Sequence, residues 1–189
     1  MQTKQLFNAL ALNPIIAAIK DMDDLEAALQ TDVEVIFVLH SDIFNIKEIS
    51  GKIKASGKIG FLHFNFVKGL SDEDISLKYI RENTDFDGII STKANHISAA
   101  KALGFFTIQR LFLLDSMSLE NIHSQVQMKH SDLIEILPNV NKKIIHIVRQ
   151  KIKRPLLVSG LILDKEDVMN ALANGAAAIS STNHSVWEL

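Results

Sequence analysis

Cysteine is absent from the 189 residues. This excludes disulfides and thiolate metal sites and fits a reducing compartment, so the expected location is the cytoplasm. No apolar run approaches the ~18 residues that a membrane-spanning helix needs. The N-terminal MQTKQLFNALALNP holds one lysine and a broken apolar patch too short for the hydrophobic region of a secretory signal. Neither sign of charge is in excess. A net charge of −2 gives no general pull toward nucleic acid, so such binding would need a local basic patch. Aromatics are only 6% and charged residues 22%, an ordinary globular balance. No linker or low-complexity tract divides the chain, so residues 1–189 read as one domain.

What is present is a period. Hydrophobic residues make up 47% of the chain, enough for a substantial core. Apolar runs bounded by turn residues mark eight strand candidates: 14–20, 33–40, 58–65, 87–93, 105–114, 132–138, 155–162 and 176–181. Their centres fall about every 23 residues, room for a strand and a helix of roughly three turns. The segments between them carry helix caps. Asp21 opens one helix with carboxylates in its first turn, Ser71 to Asp74 has capping-box spacing, and Asp164 opens another. Gly57, Gly104 and Gly175 stand where a left-handed helix terminus needs glycine. Uninterrupted alternation implies a parallel sheet, and eight units is the number that closes a (β/α)8 barrel. Such barrels usually have ~250 residues. The expectation is therefore a compact TIM-type barrel with short loops and a truncated last helix. An open doubly wound sheet is the competing architecture.

In parallel α/β folds the chemistry gathers at the C-terminal ends of the strands. The polar residues there are Lys20, His40, His63, Asn65, Ser91, Thr92, Lys93, Gln109, Arg110 and Glu135. In a strand, His63 and Asn65 would share a face. Arg110 and Glu135 sit inside apolar runs, where a charge is costly unless it is paired or holds a ligand. They either serve a site or pair with each other across the barrel. The last two strand candidates end in Ser159-Gly160 and Ser180-Ser181-Thr182, small residues suited to a phosphate cradle, which barrels commonly build after strands seven and eight. His40, His63 and Glu135 have no recognised metal-ligand spacing, and neither Lys20 nor Lys93 is singled out as a Schiff-base lysine. No catalytic set, metal or cofactor is expected. The alternative is an aldolase- or synthase-like barrel acting on a phosphorylated metabolite.

Residues 141–154 (NKKIIHIVRQKIKR) hold six cations and no acid: Lys142, Lys143, Arg149, Lys151, Lys153 and Arg154. They form either a solvated helix face or a surface for an RNA backbone.

Four segments carry a family resemblance: Gly88-Ile-Ile-Ser-Thr-Lys93, Thr107-Ile-Gln-Arg-Leu-Phe-Leu-Leu-Asp115, Asp132-Leu-Ile-Glu-Ile-Leu-Pro138 and Ser180-Ser-Thr-Asn-His-Ser-Val-Trp187. In this order, over nearly the whole length, the chain resembles the glycerol-3-phosphate-responsive antiterminators of the bacterial glycerol uptake operon. The resemblance implies a (β/α)8 barrel that binds glycerol 3-phosphate at its mouth and acts on a leader mRNA, without catalysis. Under that implication, backbone amides near Ser159, Gly160, Ser180 and Ser181 cradle the phosphate, and Arg110 or Lys20 balances its charge. Glu135 and Asn65 accept from the glycerol hydroxyls, with His63 beside them. The basic stretch becomes the RNA contact, and a homo-oligomer remains open. Three positions depart from the family pattern: Asn65 where aspartate is usual, Asn139 where glycine follows Leu-Pro, and Ser159 where Gly-Gly is usual.

Overall fold

The computed structural model describes residues 3–122, 130–139 and 142–189. Asn141, the first residue of the basic stretch, lies outside them. Eight parallel strands close into a barrel. They are β1 (Ile15–Ile19), β2 (Val35–Val38), β4 (Ile59–His63), β6 (Gly88–Ser91), β7 (Phe106–Phe112), β8 (Leu133–Leu137), β9 (Leu156–Ser159) and β10 (Ala178–Ser181). Each lies within one strand expected from the sequence. Because β1 pairs with both β2 and β10, the sheet has no edge, and the open-sheet alternative falls. Two short strands, β3 (Ser41–Asp42) and β5 (Val67–Lys68), were not expected. They pair as a separate parallel ribbon in the connections that follow β2 and β4.

The helices are α1 (Thr3–Leu12), α2 (Met22–Leu29), α3 (Ile46–Ala55), α4 (Asp74–Asn83), α5 (Ala94–Ala102), α6 (Ser116–Glu120), α7 (Lys142–Lys151), α8 (Lys165–Ala173) and α9 (His184–Trp187). Asp21 and Asp164 cap α2 and α8 by accepting from the amides of Asp24 and Asp167. Gly57, Gly104 and Gly175 take φ values of 81°, 83° and 103°, the left-handed region their positions imply. One cap is corrected. α4 begins at Asp74 behind Glu73, whose side chain makes no cap bond, and Ser71 instead meets Ser76 Oγ at 3.0 Å. Asp72, in the stretch before the helix, pairs with Lys93.

Strand alternation sorts the core into two shells. Ile36, Leu62, Ile89 and Ile134 face the helices; Phe37, Phe61, Ile90 and Ile108 fill the barrel. Helix α1, read from the sequence only as a broken apolar patch, adds Leu6, Ala9 and Leu10 to the inner shell. Their i, i+3, i+4 spacing makes one apolar stripe, which closes the N-terminal end of the barrel.

Gly88 is set by that inner packing. A Cβ there would lie 2.2 Å from the Phe61 ring and 2.9 Å from the Phe106 carbonyl oxygen. Gly88→Ala is expected to destabilise the fold by about 1–3 kcal/mol, as overpacking does. Adding Phe61→Leu should recover part of the loss in urea unfolding. A double variant no more stable than Gly88→Ala would show that the ring is not the obstacle.

Candidate ligand site at the barrel mouth

Phe106 and Ile108 point into the barrel, so alternation brings Arg110 inward on β7; Leu133 does the same for Glu135 on β8. The two stand directly opposite each other in the register of these neighbouring strands. Arg110 Nε donates to Glu135 Oε2 at 2.6 Å and Nη2 to Oε1 at 3.1 Å, a bidentate pair. Arg110 is 7% exposed and Glu135 fully buried. Ser180 Oγ adds a bond to Glu135 Oε1 at 3.2 Å. The expected ion pair thus forms between adjacent strands and not across the barrel. Glu135 lies beneath the site as the anchor of Arg110 and Ser180.

Above this pair lies a pocket of about 320 Å³, lined by Arg110, Ser159, Gly160, Leu161, Ser180 and Ser181 among others. The loop after β9 turns sharply, with Gly160 at φ 69° and Leu161 at φ 55°. A Cβ on Gly160 would approach Pro138 Cα to 3.3 Å, so this loop packs closely on the end of β8. The amide of Asn139 donates to the Gly160 carbonyl at 2.8 Å, which ties the loop after β8 to the loop after β9. The loop after β10 is tied to the loop after β9. Ser181 Oγ donates to the Ile162 carbonyl (2.8 Å), and Asn183 Nδ2 to that of Leu163 (2.8 Å). Trp187 Nε1 anchors the Ser181 carbonyl at 2.7 Å. Ser181 therefore braces the wall with its side chain, whereas Ser159 Oγ is buried at the pocket with no partner among the described residues. Asn183 also lines this pocket.

The other expected site residues do not join this pocket. His63 points into the barrel beside Arg110, is buried, and stacks on Phe66 at 4.3 Å. Both of its ring nitrogens lack partners among the described residues. Burial, and then the charge of Arg110, push its pKa down to about 3, so it is neutral at pH 7. β4 ends at His63 and Phe64–Phe66 form a 3-10 turn, so the expected shared face with Asn65 is lost. Asn65 Oδ1 instead accepts from Ser91 Oγ (2.9 Å) and the Thr92 amide (3.2 Å), splinting the end of β6. Lys20 lines a neighbouring pocket with His40, and its ammonium sits 3.9 Å from Asp24. Among the described residues no group of three or more His, Asp or Glu could hold a metal ion, so the set of His40, His63 and Glu135 does not assemble.

The basic stretch, made of α7 and the residues that follow it, divides in two. Arg149 packs over Gly175 and donates to the Ile152 carbonyl at 2.8 Å, and Lys151 reaches the Leu119 carbonyl at 3.2 Å. Lys142, Lys143 and Lys153 are exposed and have no carboxylate partner among the described residues. Arg154 is exposed beside them.

Fold and site together define a small (β/α)8 barrel with a polar mouth pocket walled by the loops of its last two strands. Residues 15–187 match the family model of the glycerol-3-phosphate responsive antiterminators, and the chain belongs to that family. It is 43% identical over 184 residues to the uncharacterized protein YgcP of Escherichia coli (strain K12), covering 97% of this chain and 96% of YgcP. The glycerol uptake operon antiterminator regulatory protein of Listeria monocytogenes str. 4b F2365 superposes with a TM-score of 0.88 at 32% identity, over 93% of this chain and 95% of that one. An antiterminator-related protein of Thermotoga maritima MSB8 gives 0.81 at 31% identity, over 93% and 98%.

Proposed function

We propose that the chain is a cytoplasmic, RNA-binding transcription antiterminator of glycerol catabolic genes that takes glycerol 3-phosphate in the mouth pocket. The observation that carries this reading is the pairing of Ser159 and Arg110 there. Ser159 Oγ is a buried hydroxyl without a partner among the described residues, a state that costs about 1–3 kcal/mol until something bonds to it. Arg110 keeps Nη1 clear of Glu135 and lines the same pocket. The volume, about 320 Å³, lies at the small end of ligand sites and suits a three-carbon phosphate. The phosphate sits against the Gly160 and Ser181 loops, and the glycerol end reaches Ser159 and Ser180. Glu135 holds the donors in place. Lys20 and Lys93, the lysines a Schiff base would use, are half-exposed and face Asp24 and Asp72, so the reading includes no catalysis.

Because Ser181 and Asn183 tie the two loops together, a ligand held by both favours one arrangement of the mouth. Differential affinity for that arrangement is how the ligand would bias RNA binding. The RNA contact in this reading is made by Lys142 and Lys143 of α7 together with Lys153, which follows the helix. The test is titration calorimetry with glycerol 3-phosphate. Binding is expected, with Ser159→Ala weakening it about five- to tenfold, the loss of one hydrogen bond. No heat at millimolar ligand would sink the ligand half of the reading.

A further inference from the structure

A second polar pocket, about 240 Å³, opens at the ends of β1 and β2 under the β3–β5 ribbon, lined by Lys20, Asp21, His40, Asp42, Asn45 and Lys68 among others. One wall belongs to a three-ring stack. Phe66 lies between His63 (4.3 Å, 15° between planes) and His40 (5.5 Å, 6°). His63 is the buried inner end of the stack and His40 the half-buried outer end. The His40 ring stacks on Phe66, and His40 also lines the pocket. The two lysines are exposed, Lys20 in a loose contact with Asp24 and Lys68 with no carboxylate partner among the described residues. The acids of the pocket are largely engaged. Asp21 Oδ1 caps α2, and Asp42 Oδ1 accepts from the Phe44 and Asn45 amides at 2.8 and 3.0 Å. Asp42 Oδ2 and Asn45 Nδ2 remain as an acceptor and a donor at the rim, a pair suited to the edge of a base.

We infer that this pocket takes one unpaired nucleotide of RNA, its base stacked on His40 and its flanking phosphates on Lys20 and Lys68. Stacking on a ring, polar groups at the base edge and cations along the backbone are how single strands are recognised. The assignment rests on the RNA-acting reading above and adds a surface to it. In the barrel order β8 stands diametrically opposite β2, so α7, which follows β8, and this pocket lie on opposite sides of the mouth. RNA touching both would cross the mouth pocket.

The test is fluorescence anisotropy with a fluorescein-labelled, random-sequence 12-nucleotide single-stranded RNA. Three proteins are compared: the wild type, His40→Ala/Lys68→Glu, and Lys142→Glu/Lys143→Glu, each checked for an unchanged thermal melt. The inference expects His40→Ala/Lys68→Glu to weaken binding about tenfold or more and to flatten its dependence on salt. RNA binding that this variant leaves intact overturns the inference while the RNA reading stands. No binding by the wild-type protein, with or without millimolar glycerol 3-phosphate, overturns the RNA reading and the inference with it. Binding of guanosine or adenosine 5′-monophosphate without the 12-mer assigns the pocket to a free nucleotide and overturns the RNA assignment.

Discussion

Arg110→Met is expected to cost about 3–5 kcal/mol of folding stability, the penalty for leaving a buried carboxylate without its partner. Glu135 is fully buried, and after the substitution the Ser180 hydroxyl alone remains to meet it among the described residues. Ala18, Leu39 and Leu137 in the surrounding wall offer no charge. The double variant Arg110→Met/Glu135→Leu removes both charges and should regain most of the loss, since a buried pair adds little over an apolar replacement of similar volume. Urea unfolding of the two single variants and the double gives the coupling energy directly. A loss below about 1 kcal/mol for Arg110→Met would show that water satisfies Glu135 and that the mouth is wetter than its burial indicates. Calorimetry on the double variant separates the two roles of the pair. A folded barrel that no longer binds glycerol 3-phosphate gives the Arg110–Glu135 pair a role at the ligand as well as in the core.

The pair also shows what could be read from the chain beforehand. Arg110 and Glu135 are conspicuous because a charge inside a run of Ile, Leu and Phe must be paired or must hold a ligand. That they are neighbours followed only from the register of β7 and β8. The eight strands were legible for the same kind of reason: each buried strand of a parallel barrel is a near-continuous apolar run ended by turn residues. Helix α1 was overlooked although Leu6, Ala9 and Leu10 carry the helical spacing, because a ten-residue segment before the first strand has no place in the strand–helix period. The β3–β5 ribbon was out of reach, since two-residue strands leave no pattern. At the site, strand alternation does not extend the two residues from His63 to Asn65. The 3-10 turn at Phe64–Phe66 breaks the period of two after His63, which turns Asn65 toward Ser91 and away from the mouth. Likewise, a run of cations along α7 cannot show which ones fold back onto carbonyls, as Arg149 and Lys151 do.

His63 is expected to make the protein acid-sensitive at a pH where most carboxylates are still ionised. Its folded pKa is pushed down to about 3 by burial and by Arg110, against an ordinary value of 6.5. Between those two values the unfolded chain carries a proton on His63 and the folded chain does not, so stability rises with pH across the interval and is level above it. The expected loss from this group is about 2 kcal/mol at pH 5 relative to pH 7.5, at 1.36 kcal/mol per pH unit below 6.5. Urea midpoints at pH 5, 6, 7 and 7.5 test this against His63→Leu. The variant loses the stack on Phe66 and shifts in absolute stability, but its slope between pH 5 and 6.5 should fall by about one proton. Equal slopes for the two proteins would assign the acid sensitivity to another group. The cause of the low value bears on function as well. A proton on His63 would place a second positive charge beside Arg110, within the same stack that ends at His40. Holding His63 neutral therefore keeps both the Arg110–Glu135 pair and the ring stack in one arrangement at pH 7. Because that folded value is about 3, His63 stays neutral in the folded barrel at pH 5 as at pH 7. Ligand and RNA titrations at either pH therefore address the same arrangement, the lower one in a less stable protein.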